Sequence, residues 1–472
     1  MAESPVIVEP GRTDPIAAQA VQVIGGPMGV FARMRRWWSP VRVLLVMSAL
    51  AYALGYLLDL SCRSTGWAAP DRYEHLCYSD IPPLYSLRGF ADGFLPYLQT
   101  PPGGQPLEYP VLTGVFMQIA AVITKAITSA AGSLDAARTF FDVNVILLFI
   151  PFAVAVVALA LTVRRRPWDA AMLALSPCVI LAATINWDLL PLAFSGIALV
   201  LWARKRPFAA GLLLGLAIAA KFYPLLFLGV FLLLSLRTAR WRAFGALLGG
   251  TALSWLAVNL PFMLANFDGW VYFYRFSQSR GVDFGSLWFA MTQLGLPGIP
   301  AALLNDVASV TFVILCVGIA ILALRAPRRP RLAQLLFLVI AAFAITNKVY
   351  SPQYVLWLVP LAILARPRWR DVLIWQAGEI VYFLGIWWFL VGYGSSDKDV
   401  HGLTPQWYGV STLVHIGFTI WFAALVVRDI LRPSNDPVRT DGFAEDVDDP
   451  AGGVYDNAPD VVRIGSRETT GR

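Results

Sequence analysis

Long apolar runs are the feature that most constrains this chain, because they leave a polytopic all-α membrane protein as its fold class. The chain has 472 residues, of which 57% are hydrophobic and 14% are charged, whereas about 25% of the residues in a soluble domain are charged. A membrane span needs ~20 apolar residues, so the shorter runs must tilt, pair as hairpins or stop partway. The runs lie near residues 41–60, 110–131, 142–163, 169–185, 188–203, 207–220, 222–236, 243–262, 301–324, 332–346, 349–365, 371–392 and 409–427.

Arginine clusters between the runs predict the orientation, because short cytosolic loops are enriched in Lys and Arg. From Arg164 onward, alternate connections carry the basic residues, which places both termini in the cytosol. If 110–131 crossed the membrane, Arg164–Arg166 would lie outside, so we expect this run to be interfacial or re-entrant and about twelve runs to span. The clusters are Arg33/Arg35/Arg36, Arg164–Arg166, Arg204/Lys205/Arg206, Arg237/Arg240/Arg242, Arg325/Arg328/Arg329/Arg331 and Arg366/Arg368/Arg370.

This topology divides the chain into three parts. Residues 1–40 are predicted to be a flexible cytosolic lead, and 41–430 a transmembrane domain of the plasma membrane. Within that domain, residues 61–108 form a long first outer loop that holds interfacial helices. Residues 431–472 are rich in Asp, Gly and Pro and poor in aromatics, a composition typical of a disordered tail.

The first outer loop contains the strongest candidate for chemistry, the acid Asp80. It is followed by a stretch rich in Pro, Gly and Tyr that closes on Glu108-Tyr109-Pro110, where apolar sequence resumes. The loop therefore combines a proton acceptor with a shaped segment beside the membrane. The structural alternative is a solvated loop acid or a helix cap.

Further polar residues fall on the same predicted outer side, although their connections are far apart in sequence. Ionisable residues at membrane depth are costly and usually functional, so a shared outer-face cavity is the economical interpretation. Each candidate also has a structural alternative without a site role. Asn186 and Asp188 could simply form a turn, and Lys221 could extend its ammonium to the membrane surface. The loop with Arg275 and Arg280 could be an interfacial aromatic belt, and His401 could lie in a solvated loop. The candidates are Asn186, Asp188, Lys221, Arg275, Arg280, Lys348, Tyr350, Gln353 and His401, with Glu108 and Tyr109 beside Asp80.

The positions of the cysteines and the absence of common soluble-enzyme motifs limit the functions that the chain can have. Cys62 and Cys77 both lie in the first outer loop, where an oxidising compartment permits a disulfide; Cys178 and Cys316 lie in apolar runs and are expected in the core. No phosphate-binding loop, zinc-helix motif or nucleophile elbow occurs in a suitable context. We therefore expect no cofactor and no metal site, and an activated substrate that arrives in the lipid. The chain has a net charge of +7, and its positive residues lie mainly between the apolar runs. Membrane topology explains this placement better than nucleic-acid binding does.

The order of these motifs resembles the GT-C membrane glycosyltransferases, specifically glycosyltransferase family 87. The resemblance covers roughly residues 40–430 and includes the actinobacterial branch of polyprenyl-phosphate-mannose-dependent mannosyltransferases. One departure is Ile81-Pro82-Pro83 after the acid, where many members have a hydrophobic-then-aromatic run. The residues that carry the family resemblance are Asp80, Tyr85, Pro96-Tyr97, Glu108-Tyr109-Pro110, the Asn186 turn, Lys221–Pro224 and the block TNKVYSPQYVLW at 346–357.

The resemblance implies an inverting transfer of a sugar from a polyprenyl phosphate to a glycolipid or polysaccharide of the cell envelope. Asp80 would act as general base, and Lys221, Arg275, Arg280 and Lys348 would bind the lipid phosphate. Mannose is the expected sugar and arabinofuranose the alternative. A transporter or flippase of lipid-linked sugars, and a non-catalytic scaffold for envelope assembly, are the competing hypotheses from other classes.

Overall fold

The computed structural model describes residues 39–393, 401–440 and 447–464. The basic cluster Arg33/Arg35/Arg36 and almost all of the expected flexible lead lie outside the described residues. So do Asp397 and Asp399, which stand near His401 in the sequence and superficially resemble a metal-binding pair, although a solvated loop is the favoured interpretation. Throughout the described residues the regular secondary structure is helical.

Seven described helices are long and apolar enough to cross a membrane. Several begin at a side-chain cap: Ser39 and Asp135 each accept a hydrogen bond from the backbone N–H three residues later. Such caps satisfy N–H groups that the first helical turn leaves unpaired. The seven are Pro40–Thr65, Val111–Ala130, Ala136–Thr162, Trp241–Ala265, Ala301–Arg325, Trp369–Gly392 and Pro405–Leu431.

The remaining apolar helices are shorter and come in pairs that meet at breaks in the helical backbone. We call 183–188 the first break, 221–222 the second break and 347–351 the third break. Because a helix rises 1.5 Å per residue, helices of 10–17 residues are shorter than the ~30 Å hydrocarbon core, and the expected count of about twelve spans is not confirmed. These helices are Leu189–Ala203, Pro207–Ala220, Tyr223–Thr238, Leu332–Thr346 and Pro352–Ala365, and Pro177–Ala182 precedes the first break.

The helix Val111–Ala130 begins at the level of the breaks, where the Thr113 hydroxyl donates to the carbonyl of Ala220 (2.7 Å). The next helix starts only six positions after Ala130, at Ala136, and its residue Asn144 bonds to the first break through Trp187 (2.7 Å). A helix of this length covers about 30 Å, whereas six residues extend over about 20 Å. The helix therefore does not carry the chain to the other end of the bundle, where Ala136–Thr162 finishes.

The first loop packs against the helix that follows it. It contains the helices Asp71–Glu74 and Ile81–Leu87, and a disulfide joins Cys62 to Cys77. The Tyr97 hydroxyl donates to the carbonyl of Pro110 (2.7 Å), and a Cβ on Gly114 would lie 2.2 Å from that hydroxyl oxygen. Glycine is thus required where the loop crosses the helix.

The connection 266–300 packs on the end of the bundle at which the breaks lie, which we call the cavity end. Residues 266–300 include the helices Phe267–Ser279 and Leu287–Gln293. The Tyr408 hydroxyl, on the last long helix, donates to the carbonyl of Phe284 (2.6 Å) and ties this connection to the bundle.

Buried arginines gather at the opposite end of the bundle, which we call the arginine end. Arg331 is 1% exposed and its guanidinium contacts Asp436 at 2.7 Å. Arg329 pairs with Asp448, and Arg237 with Asp460. All three acids belong to the C-terminal tail.

The prediction of a disordered tail is wrong for 432–440 and 447–464, which pack on the arginine end. Trp202 donates its indole N–H to the carbonyl of Gly452 (2.9 Å), and the Tyr455 hydroxyl donates to that of Phe231 (2.8 Å). The aspartates that made the segment look disordered are the partners of arginines more than 100 residues away. Composition alone missed this order because it does not record long-range pairing.

Candidate active site

The cavity end of the bundle contains a cavity of about 1210 Å³. Residues of the three breaks and of the first loop line it. Residues 273–285 and the helix Trp369–Gly392 complete its wall. Large pockets with a few convergent polar groups are the usual ligand sites of proteins. Its polar and charged lining includes Tyr73, Tyr78, Asp80, Arg88, Glu108, Tyr109, Asn186, Lys221, Gln278, Arg280, Asp283, Asn347, Lys348, Ser351, Gln353 and Tyr354.

Asp80 is fixed by backbone and side-chain bonds. Its N–H donates to the carbonyl of Ile185 in the first break (2.8 Å). Its carboxylate accepts from the hydroxyls of Tyr78 (2.7 Å) and Tyr109 (3.3 Å). The acid is thus held between the loop, the first break and the start of Val111–Ala130.

The two prolines after Ile81 explain how the carboxylate can face the cavity. Asp80 is the residue preceding the helix Ile81–Leu87, and its side chain makes no capping bond. Proline fits the first turn of a helix because no intrahelical N–H bond is needed there. The helix can therefore start immediately after Asp80 without using its carboxylate as a cap.

The surroundings of Asp80 shift its pKa upward. Burial disfavours the charged carboxylate and raises the pKa of Asp80. The hydrogen bonds from Tyr78 and Tyr109 and the charge of Lys221 act in the opposite direction and offset part of the rise. The result is a carboxylate more basic than an ordinary aspartate.

The first and second breaks meet in a buried ion pair. The Lys221 ammonium lies 2.7 Å from a carboxylate oxygen of Asp188, which is 1% exposed. The backbone N–H of Asp188 donates to the side chain of Asn186 (3.0 Å), which closes the turn. Lys221 also lies 5.3 Å from the centre of the Tyr109 ring, within cation–π range. Asp188 stands behind the cavity wall and orients Lys221, whereas Asn186 and Lys221 reach the cavity.

The third break supplies a second cationic wall. Lys348 donates to the carbonyl of Gln278 (2.8 Å) and, among the described residues, forms no salt bridge. Arg280 pairs with Asp283 (2.8 Å), and Ser351 donates to the same carboxylate (3.2 Å). This wall therefore holds two cations and one acid, which leaves positive charge for an anion.

Two charged cavity residues were not predicted from the sequence. Arg88 makes a two-pronged ion pair with Glu108, with its closest contact at 2.5 Å, and Asp283 binds Arg280 and Ser351. Arg88 lies in the same loop as Asp80, so a search for opposite charges within that loop could have found it. Asp283 follows Arg280 by three positions. This spacing suggests an ion pair only within a helix, so the sequence of the loop gave no signal for it.

Besides Asp188, three predicted site residues do not line the cavity. Arg275 is 62% exposed and pairs with Asp268, which is also exposed. Tyr350 turns into the helix bundle and packs on His415 (ring centres 4.5 Å apart). His401 is exposed and does not line the cavity. Sequence proximity placed these side chains near the site, but the local backbone directs each of them away from the cavity.

A charged cavity enclosed at one end of a bundle of long apolar helices defines a multi-pass membrane protein with an internal polar site. The model of glycosyltransferase family 87 matches residues 109–346, half of the chain. The chain belongs to glycosyltransferase family 87 and is a membrane glycosyltransferase, as the sequence motifs predicted. No curated protein matches it significantly. The matched region includes Lys221 and Arg280, and Asp80 precedes it.

Proposed function

We propose that this protein transfers mannose from a polyprenyl-phosphate donor to a cell-envelope glycolipid or polysaccharide, with inversion at the anomeric carbon. The observation that carries the proposal is the placement of the Asp80 carboxylate in one cavity with Lys221, Arg280 and Lys348. Such a cavity offers a base for the acceptor and positive charge for a departing phosphate. The named donor comes from the family resemblance.

The proposed reaction is a single displacement. The acceptor hydroxyl oxygen attacks the anomeric carbon while Asp80 takes its proton, and the bond from that carbon to the phosphate oxygen breaks with its electron pair leaving on the phosphate. General-base assistance contributes roughly 10²–10⁴-fold. Lys348 and Arg280 stabilise the charge that develops on the phosphate. The raised pKa of Asp80 favours proton uptake.

We further propose that the cavity opens on the outer face of the plasma membrane. The arginine end gathers Arg165, Arg237, Arg329, Arg331 and Arg366, and short basic connections are retained in the cytosol. In that orientation Val111–Ala130 starts and ends on the outer side, which supports an interfacial or re-entrant helix. A lipid donor then enters from the bilayer and the acceptor from outside.

The experiment that tests the donor uses membranes with radiolabelled polyprenyl-phosphate mannose and, in parallel, polyprenyl-phosphate arabinofuranose. We expect label in a new lipid or polysaccharide product with mannose. Product formation with arabinofuranose alone would assign the alternative sugar. Movement of the labelled lipid across the membrane without a new glycosidic bond would instead make the protein a flippase.

Lys348→Met is expected to lower the transfer rate by about 10²-fold, the order seen when one group that stabilises developing charge is removed. The structural reason is that Lys348 lies in the cavity wall without a carboxylate partner in the described part of the chain. Initial rates at saturating donor measure the effect. Arg275→Gln is the matched control, because this exposed arginine lies on the same side but outside the cavity, and it should keep full activity. Equal losses in both variants would contradict a phosphate role for Lys348.

Tyr78→Phe should move the acidic limb of the pH–rate profile to higher pH. Asp80 acts as a base only when deprotonated, so activity rises as pH rises through its pKa. Tyr78 donates to the charged carboxylate and thereby lowers that pKa, so losing the hydroxyl raises it further. The measurement is kcat/KM against pH for both proteins, and an unchanged acidic limb would count against Asp80 as the titrating base.

A further inference from the structure

Three nearly parallel aromatic rings form a stacked cluster beside Asp80. The rings of Tyr73 and Tyr78 are nearly parallel, with centres 5.9 Å apart and planes at 12°. The Trp387 ring stacks on Tyr78 at 4.7 Å. All three residues line the cavity, and we call them the aromatic platform.

Neighbouring groups hold the aromatic platform in place. The guanidinium of Arg72 lies 4.8 Å from the centre of the Tyr73 ring and donates to its hydroxyl (2.9 Å). The cation–π attraction to the ring and the hydrogen bond to the hydroxyl both restrain Tyr73. The Cys62–Cys77 disulfide immediately precedes Tyr78 and anchors the same loop.

The platform also has an unused hydrogen-bond donor. Trp387 is 3% exposed, and its indole N–H has no hydrogen-bond partner among the described residues. Buried indole N–H groups usually find a partner. This nitrogen is covered by neighbouring atoms, so what the platform offers a ligand is the apolar surface of its rings and not this N–H.

The location of the platform distinguishes it from the phosphate wall. Asp80 is bonded directly to platform residue Tyr78 (2.7 Å). The cations that line the cavity are Arg88, Lys221, Arg280 and Lys348, and none belongs to the 69–78 segment or to the helix Trp369–Gly392. In a single displacement the acceptor must approach the base, on the face opposite the leaving phosphate. Arg72 is held by the ring and hydroxyl of Tyr73 and does not line the cavity. The wall beside Asp80 that presents no cation to the cavity is therefore the acceptor's side.

We propose that Tyr73, Tyr78 and Trp387 form the acceptor subsite and bind a saccharide ring by stacking on its C–H face. The hydroxyls of the ring lie at its edge, where one can reach Asp80. This inference rests on the proposed transferase function and adds the residues that select the acceptor. The same ring chemistry is supplied by a glycolipid headgroup or by the end of a soluble glycan.

The test measures half-saturating concentrations of acceptor and donor separately. Membranes with polyprenyl-phosphate mannose receive either octyl mannoside, as a lipid-like acceptor, or methyl mannobioside, as a soluble one. Tyr73→Ala and Trp387→Ala should each raise the half-saturating acceptor concentration by about tenfold, equivalent to 1.4 kcal/mol, with the donor value unchanged. Tyr73→Phe, which keeps the ring, should retain the wild-type value.

Trp388→Ala is the matched control, since this neighbour of Trp387 is 44% exposed on the outer surface of the same helix. It should leave both concentrations unchanged. A selective response with octyl mannoside would assign a glycolipid headgroup, and one with methyl mannobioside a soluble glycan. An acceptor value within twofold of wild type in Tyr73→Ala, or an equal rise in the donor value, would overturn the assignment.

Direct binding separates a failed subsite from a failed reaction. If wild-type membranes transfer nothing, saturation-transfer NMR on the purified full-length protein with methyl mannoside, methyl arabinofuranoside and methyl mannobioside still tests the platform. Signal with wild type that is lost in Tyr73→Ala and kept in Tyr73→Phe supports the saccharide subsite even if the donor has been wrongly chosen. No signal from any of these saccharides with wild type, or equal signal in Tyr73→Ala, rejects it.

Discussion

Asp80→Asn is expected to reduce sugar transfer by roughly 10²–10⁴-fold while the protein still accumulates in the membrane. The amide cannot take a proton from the acceptor, but its oxygen can still accept hydrogen bonds from Tyr78 and Tyr109. The fold around the loop should therefore persist. Product formation in a radiolabel assay, normalised to the amount of protein in the membrane, measures the effect.

The matched control is Asp92→Asn. Asp92 belongs to the same loop but is exposed and does not line the cavity. We expect wild-type rates from it. Full activity of Asp80→Asn would remove Asp80 as the base, and equal losses in the two variants would point to the loop's negative charge in general.

Asp436→Asn is expected to lower the free energy of unfolding by about 3–5 kcal/mol, the usual cost of leaving a buried charge uncompensated. Asp436 is fully buried and accepts two bonds from Arg331 (2.7 and 2.9 Å). Arg331 in turn donates to the carbonyls of Leu364 and Ala365 (2.8 and 2.6 Å). Removing the carboxylate therefore weakens the junction of the tail with two helix ends. Denaturation of the detergent-purified protein measures the change.

The control for this pair is Asp268→Asn, which breaks the exposed pair with Arg275. Exposed ion pairs contribute about 0–1 kcal/mol, so little change is expected. Comparable destabilisation by both substitutions would argue that the tail is not anchored through Asp436.

The pH dependence gives a second measurement on Asp436. Burial raises its pKa, but Arg331 outweighs burial and holds the pKa of Asp436 below its usual range. A carboxyl group whose pKa is lower in the folded than in the unfolded state stabilises the folded state at pH values above its unfolded pKa. This stabilisation is lost as the pH falls through the pKa of the folded state. The difference between wild type and Asp436→Asn should therefore be largest near neutral pH and shrink in acid.

The broken helices explain how polar chemistry is accommodated within an apolar bundle. At each break the chain leaves helical geometry, and polar residues such as Asn186, Lys221 and Lys348 reach one cavity. Irregular backbone at membrane depth is tolerated where it lines a polar cavity. The breaks thus place charged side chains where the proposed lipid-borne donor can reach them.

Much of the architecture was predictable because it depends on local pattern. Apolar runs predicted the membrane helices, and the family motifs predicted the glycosyltransferase. The position of Asp80 in a long loop drew attention to it before any contact was known. The sequence also indicated that Cys62 and Cys77 could pair, and the structure joins them.

The details of the site depended on contacts between distant residues. Arg275 and Arg280 lie five residues apart and looked equivalent, but only Arg280 reaches the cavity. Asp283 and Arg88 looked ordinary until their partners were brought close. In the same way, the acidic tail looked disordered until the arginines at 237, 329 and 331 were placed around it.

The sequence by itself determined a membrane-embedded helical protein, its family and an acid in the first loop, since hydropathy and motif order are properties of neighbouring residues. Tertiary structure decided which charges face one another: Asp188 with Lys221, Arg88 with Glu108, and Asp80 with two tyrosine hydroxyls. The physical reason is that hydropathy sets where a segment resides, whereas the charge and hydrogen bonding of a site are set by groups that only folding brings within a few ångströms.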